Sequence, residues 1–293
     1  MEARDDKANT LYKFMKYPAD GPSPAENAEY RRRVEALLRG GELYFATAKE
    51  LNDPFDAAPH FRIPSAHEEL LKAVERGLAV FGERNGLRPE QIEARREELK
   101  AKIKSGEYEI EMTGVAHGWR EEFRSKFPMC CLTAERGSTL MWSYYAEGHT
   151  GICVHFDATQ VPFGNAEKVV YVRDYPEIPL PLGGHDPNEF IRKALYTKSD
   201  AWSHEREYRL VNLPYAVDGA PGHILDDIFG WKTPQLAIIS PAYIEGVTVG
   251  AAMREHEIED ILRLCADRAR RIPVFRAKCS RDHFELEFER ISE

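Results

Sequence analysis

Residues 128–157, PMCCLTAERGSTLMWSYYAEGHTGICVHFD, constrain the fold more than any other stretch, because they read as strand, short helix and strand in immediate succession. The apolar run from Pro128 to Thr133 suits a buried strand. Ser138 is placed to cap a helix reaching about Glu147, and Gly148 to end it. From Gly151 the pattern alternates: Ile152, Val154 and Phe156 fall on one face, Cys153, His155 and Asp157 on the other. Between the strands stand Trp142, Ser143, Tyr144, Tyr145 and His149. These five rings and hydroxyls exceed what a short helix needs for packing, and they mark a candidate site.

The flanking chain supplies further strands and helices. Leu11 to Phe14 reads as a first strand, 20–28 as a loop, 29–39 as a helix with Val34, Leu37 and Leu38 inward, and 43–46 as a second strand. Residues 64–127 differ in character, with three highly charged helical patterns at 67–84, 89–104 and about 109–126. They read as a helical insertion that either covers the site or mediates oligomerisation. Later come a strand at 168–172, an irregular Pro- and Gly-rich stretch at 176–187, a helix at 188–198 and a strand over the latter half of 201–211. The C-terminal part gives a strand at 244–249, an amphipathic helix at 255–270, a strand at 273–277 and strict alternation from Phe284 to Phe288. The expected fold is α/β of the α+β type: one domain over 1–293, with a mixed, mainly antiparallel twisted sheet, flanking helices and the insertion at 64–127.

Composition limits the function classes. The 293 residues carry a formal net charge of −9, which argues against a broad nucleic-acid surface but leaves a small anionic ligand or a local nucleic-acid contact open. No run is long enough for a membrane span, and the first residues lack the apolar core of a signal peptide. The five cysteines show no C-x-x-C spacing, so reduced thiols and a cytoplasmic location are expected, with no metal site. Cys130, Cys131 and Cys153 are expected to be buried and inert. Walker A, G-x-G-x-x-G, H-E-x-x-H and G-x-S-x-G motifs are all missing from the sequence.

Two further stretches could carry chemistry. In Leu51-Asn52-Asp53-Pro54-Phe55-Asp56 the proline and the Asx side chains favour a fixed turn, with Phe55 buried, which either is turn chemistry alone or also presents a carboxylate or amide to a cleft. In Glu205-Arg206-Glu207-Tyr208-Arg209, a strand would put Glu205, Glu207 and Arg209 on one face. Two like charges so placed cost energy unless an arginine or a ligand offsets them, so the pair reads as an ion-pair network or as a site.

Three blocks, LYKF with GELYFATAKELNDPFD, CLTAERGSTLMWSYYAEGHTGICVHFD, and AWSHEREYRLV, together resemble the bacterial family catalogued as domain of unknown function 2971, a family without an assigned activity. The layout is also similar, at the level of fold, to ADP-ribosyltransferases. That resemblance implies an NAD-binding site in three places: Tyr12 or Lys13 on the first strand; Ser143, Tyr144 or Tyr145 in the middle block; and Glu207, supported by Glu205, as the catalytic carboxylate. Trp142 and Tyr145 would wall the pocket, with Asn52, Asp53, His149 and Arg209 as further ligand-binding candidates. The usual first-strand Arg or His and a clear Ser-Thr-Ser signature are not present. The expected function is therefore a bacterial effector-type enzyme, with defence as one setting, that binds a nucleotide-like ligand. Two alternatives remain: a nucleotide- or nucleic-acid-cleaving effector using Asp53, Asp56, His149, Glu205 and Glu207, and a non-enzymatic module whose aromatic cluster docks a partner.

Overall fold

The computed structural model describes residues 8–18, 23–180, 187–213 and 229–292. The chain opens with β1 (Thr10–Met15), α1 (Pro24–Gly40), β2 (Glu42–Tyr44) and β3 (His60–Arg62). Three helices follow, α2 (His67–Arg84), α3 (Pro89–Ser105) and α4 (Glu107–Lys126). The central block gives β4 (Met129–Thr133), α5 (Thr139–Tyr145) and β5 (Ile152–Asp157). Next are β6 (Glu167–Lys168), β7 (Val170–Val172), β8 (Glu177–Pro179), α6 (Pro187–Leu195), β9 (Thr197–Ser199) and β10 (Glu207–Val211). The chain continues through β11 (Gly230–Thr233), β12 (Leu236–Ile238), β13 (Ile244–Val249), α7 (Glu255–Ala266), β14 (Val274–Cys279) and β15 (Leu286–Arg290).

Eight strands form the main sheet in the order β15-β14-β13-β5-β1-β4-β10-β6. Within this sheet, among the described residues, β13 and β14 run parallel and every other neighbouring pair is antiparallel. The fold is thus α/β with a mixed, mostly antiparallel sheet and flanking helices. Alternation in β5 does what the sequence implies: Ile152, Val154 and Phe156 enter the largest core, while Cys153 enters a second one with Phe14 and Trp142. Helix α1 packs Val34, Leu37 and Leu38 into the large core and is tied to α7 by Arg31, whose Nη2 lies 2.9 Å from Oε1 of the fully buried Glu257. Gly41 ends α1 in the left-handed region (φ 70°), and a Cβ there would lie 2.1 Å from the Ile239 carbonyl oxygen, so only glycine fits.

The sheet is split at its centre. Strand β1 pairs with β5 at six positions but meets β4 only at Tyr12 and Thr133. The other end of β4 is taken by Ala46, which exchanges both backbone hydrogen bonds with Met129, at 2.7 and 2.9 Å. Backbone direction alternates along a strand, so Cys131, midway between these two bridges, directs its peptide groups into the gap. There its carbonyl oxygen lies 3.5 Å from Lys13 Nζ.

Helices α2, α3 and α4 share a small core of Leu70, Val74, Ile103 and Tyr108. They join the body where Phe123 and Phe127 pack with Met129, Leu195 and Val211, and where Trp119 meets Phe61 at 5.8 Å.

Several local expectations need correction. Helix α1 starts at Pro24, inside the presumed loop, because proline suits the first helical turn. The expected strand at 168–172 is two strands broken at Val169: β6 pairs with β10 and β7 with β9. Strand β8 lies in the stretch taken as irregular; residues 181–186 of that stretch are outside the described residues. Helix α6 stops at Leu195, which leaves Lys198 in a strand. Phe284 is fully exposed, since regular pairing begins only at Leu286.

Candidate functional site

The split between β1 and β4 opens into a cavity of about 710 Å³. Its lining includes Tyr12, Lys13 and Met15 of β1, Cys131 and Leu132 of β4, Arg33 of α1, the turn residues Asn52, Asp53 and Asp56, and Met141, Tyr144 and Tyr145 of α5. Lys198, Glu205 and Glu207 complete it. No lining residue comes from 64–127, so among the described residues the helical insertion does not cover this cavity.

Helix α5 delivers its residues by simple periodicity. Ser138 caps it, its Oγ accepting from the Met141 amide at 3.3 Å. Met141, Tyr144 and Tyr145 are three and four positions apart and share a face. Trp142 points away into the core; it is fully buried, its Nε1 donates to the Arg136 carbonyl at 2.9 Å, and its ring meets Phe14 edge-on at 5.0 Å. His149 stacks on the same indole, and Ser143 donates to the Thr139 carbonyl. Trp142, Ser143 and His149 therefore do not line the cavity, which corrects the expectation that Trp142 is its wall.

The two glutamates converge by a different route from the one the sequence suggests. Glu205 is not in a strand; it ends a short 3-10 segment, Asp200–Glu205. Arg206 then adopts a left-handed conformation (φ 46°), rare for a residue with a Cβ, and β10 starts at Glu207. Thr133 holds the bend, its Oγ1 donating to the Glu205 carbonyl at 2.6 Å. The result is two carboxylates on one cavity wall, both almost fully buried.

What makes this burial tolerable is Lys198, which sequence reading placed at the end of a helix. Its Nζ lies 2.5 Å from Glu205 Oε2, 3.2 Å from Glu207 Oε2 and 3.3 Å from Asp56 Oδ2. An ammonium has three protons, and here three carboxylates surround it. Arg209, wholly buried behind the wall, donates from Nε to Glu207 Oε1 at 2.7 Å and from Nη2 to Glu207 Oε2 at 2.9 Å and Asp56 Oδ2 at 2.7 Å. Its Nη1 donates to the Leu195 carbonyl at 2.6 Å. Three carboxylates against two cations leave one net negative charge in a low-dielectric setting. Lys198 occupies the space that a cation bridging these carboxylates would need.

The environments of the two glutamates push them apart. Burial drives both carboxyls upward. For Glu207 it is outweighed by Arg209 and Lys198, which together hold the group down at about 2. For Glu205 burial prevails over Lys198, and its pKa is raised. Glu205 also accepts from the Tyr145 hydroxyl at 2.5 Å, and Tyr145 is itself pushed up, chiefly by burial and then by the Glu205 charge. So the two cations hold the Glu207 carboxyl down, whereas burial raises that of Glu205, whose two oxygens are bonded to Tyr145 and Lys198.

The turn at 52–56 has the expected Asx bond, Asp53 Oδ1 accepting from the Phe55 amide at 2.9 Å. Phe55 itself is 60% exposed, contrary to expectation, because the turn buries its carboxylates instead. Among the described residues, Asp53 Oδ2 and Asp56 Oδ1 are buried without a hydrogen-bond partner. Buried acceptors left without a donor are costly, a further charge penalty behind this wall. Cys130 and Cys153 are fully buried as expected, but Cys131 is only half-buried and lines the cavity.

A second group of lining residues lies along α1 and β2. Tyr44 donates to Glu50 at 2.5 Å, Gln235 donates to both, and the Arg33 guanidinium sits 4.0 Å from the Tyr44 ring centroid. Among the described residues, seven carboxylates and four cations line the cavity, a balance that favours a ligand with a cationic or electron-poor group. Compared with known proteins, the chain matches no family model, no curated protein and no solved structure.

Proposed function

We propose that the cavity binds a nucleotide-like ligand and that the chain cleaves its glycosidic bond to a ring nitrogen, with NAD as the first candidate substrate and ADP-ribosyl transfer as the reaction. The observation that carries this reading is the Glu205–Glu207 wall: one carboxyl held down by Arg209 and Lys198, the other raised by burial and bonded to Tyr145, at the edge of a cavity whose volume falls in the ordinary ligand range.

The chemistry follows from charge. When the bond from ribose to a cationic pyridine ring breaks, the electron pair goes to the ring nitrogen and the positive charge moves to the ribose. The leaving group needs no proton, so no free general acid is required. A preorganised negative wall stabilises the charge that develops, and such stabilisation in a water-poor site is typically worth about a hundredfold or more in rate. Glu207, saturated by Arg209 and Lys198, supplies fixed charge. Glu205, with Tyr145 beside it, is the better candidate to accept a proton from the incoming nucleophile. This division reverses the roles expected from sequence, in which Glu207 led. The excess of carboxylates along the lining suits the nicotinamide cation.

Incubation with labelled NAD and a mixed protein and nucleic-acid extract tests the reading, comparing wild type with Glu205→Gln and Tyr145→Phe. Label transfer or nicotinamide release should fall about a hundredfold in Glu205→Gln and about tenfold in Tyr145→Phe. Background labelling in all three, with no heat of NAD binding, would reject it.

A further inference from the structure

A second cavity, about 530 Å³, shares Tyr12 with the first and is bounded by loop 134–138 and by Glu285, Leu286 and Phe288. Its polar centre is Arg136. The guanidinium carbon lies 4.0 Å from the ring centroid of Phe288 and 5.3 Å from that of Phe275. The backbone behind it is fixed, since the Arg136 carbonyl accepts from Trp142 at 2.9 Å. The arginine of the first cavity, Arg33, pairs with Glu29, and nearby Arg206 pairs with Glu135. Arg136, half-buried, has no ion pair and no hydrogen bond from its guanidinium among the described residues.

We infer that this second cavity is an oxyanion-binding site in which the guanidinium of Arg136 takes a phosphate or carboxylate group of a ligand. A guanidinium held by aromatic rings keeps its planar fork oriented, and that fork matches two oxygens of a carboxylate or phosphate. Its donors are free, so a ligand need not displace a protein partner. The cavity's other charges do not compete for it. Glu135 is engaged with Arg206 at 3.1 Å and with the Gly137 amide at 3.1 Å, and Glu285 is exposed. Tyr12 stands on the shared wall, so an anionic group here and a sugar in the first cavity could belong to one ligand or to two. The inference does not depend on glycosyl transfer.

The bland account is that Arg136 only covers two phenyl rings, a cation–π contact worth roughly 0.5–1 kcal/mol at an exposed site. The two accounts separate on ligand binding. Inorganic phosphate and, in a separate arm, acetate are titrated into the full chain and followed by calorimetry and, for phosphate, phosphorus NMR line width. Saturable binding of at least one anion is expected. Which of the two binds more tightly identifies phosphate or carboxylate as the natural group. Arg136→Met should weaken it by about ten- to a hundredfold, the range for losing hydrogen bonds to a charged group, with Arg136→Lys intermediate because it keeps the charge without the fork. Glu285→Gln, on the exposed rim, should tighten binding about twofold by removing a like charge, and it serves if Arg136→Met does not fold. Glu205→Gln should leave anion binding unchanged. No saturable binding of either anion to wild type, or equal affinity in the folded Arg136→Met variant, would overturn the assignment. An unchanged affinity in Glu285→Gln would do so where that variant stands alone.

Discussion

Replacing Arg209 by methionine should expose how much of this fold rests on one buried cation. The substitution keeps a long apolar stem but removes the guanidinium that donates to Glu207, Asp56 and the Leu195 carbonyl. Three buried carboxylates would then face Lys198 alone. Breaking a buried pair from one side typically costs about 3–5 kcal/mol, because the stranded charge stays desolvated. The pH dependence gives an independent handle. Glu207 sits at about 2 in the folded chain against an ordinary 4.5, so its ionisation stabilises the fold above about pH 4.5, and that contribution is lost as pH falls through 2. At 1.36 kcal/mol per unit this is on the order of 3 kcal/mol. Without Arg209, burial should lift Glu207 above its ordinary value, so the variant is penalised at neutral pH and relieved on acidification. Urea unfolding of both proteins at pH 8, 6, 5 and 4 should therefore show a gap of several kcal/mol that narrows as pH falls. The double variant Arg209→Met/Glu207→Gln should recover part of the loss. A gap that stays constant across that range, with strictly additive substitutions, would mean that the arginine acts through packing and would refute the electrostatic argument.

Other substitutions should behave distinctly. Tyr145→Phe removes one hydrogen bond to a charged group, so stability should drop by about 1.5–3 kcal/mol or less, and Glu205 should titrate at still higher pH in a carboxyl-specific infrared measurement. Trp142→Ala empties a fully buried site beside Phe14 and should cost about 3–5 kcal/mol in chemical denaturation. His155 is held down at about 3 by burial, with Arg136 adding to the effect, so folding should lose stability as pH falls from about 6.5 toward 3. The loss is on the order of 5 kcal/mol, and His155→Leu should flatten that part of the profile. A thiol reagent should label exposed Cys279 first and half-buried Cys131 slowly, and leave Cys130 and Cys153 unreacted until unfolding.

Much of the fold was legible because local pattern and burial agree. Alternation at Ile152, Val154 and Phe156 and the serine cap at Ser138 are strong short-range signals, and both appear in place. The cavity gathers Tyr12, Lys13, Asn52, Asp53, Tyr144, Tyr145, Glu205 and Glu207 from four distant stretches, as the sequence reading had grouped them. What escaped that reading was long-range. Nothing local distinguishes Lys198 from a solvated helix lysine; its burial depends on α6 stopping early and on three carboxylates arriving from elsewhere. Trp142 was misassigned because an indole serves a core as well as a pocket, and periodicity cannot choose between them without the partner face. Phe284 looked inward because alternation does not say where pairing begins.

The single bridge at Tyr12 and Thr133 bears on how the molecule breathes. The main sheet is in effect two ladders, β15-β14-β13-β5-β1 and β4-β10-β6, laced together at one residue pair rather than along an edge. Amide protons within each ladder should exchange as two separate cooperative groups, since opening one breaks few bonds of the other. A molecule lodged between β1 and β4 would make the missing cross-links itself. Slower exchange in both ladders at once would then report occupancy before any chemistry is known, and would make deuterium uptake a direct screen for what this chain binds.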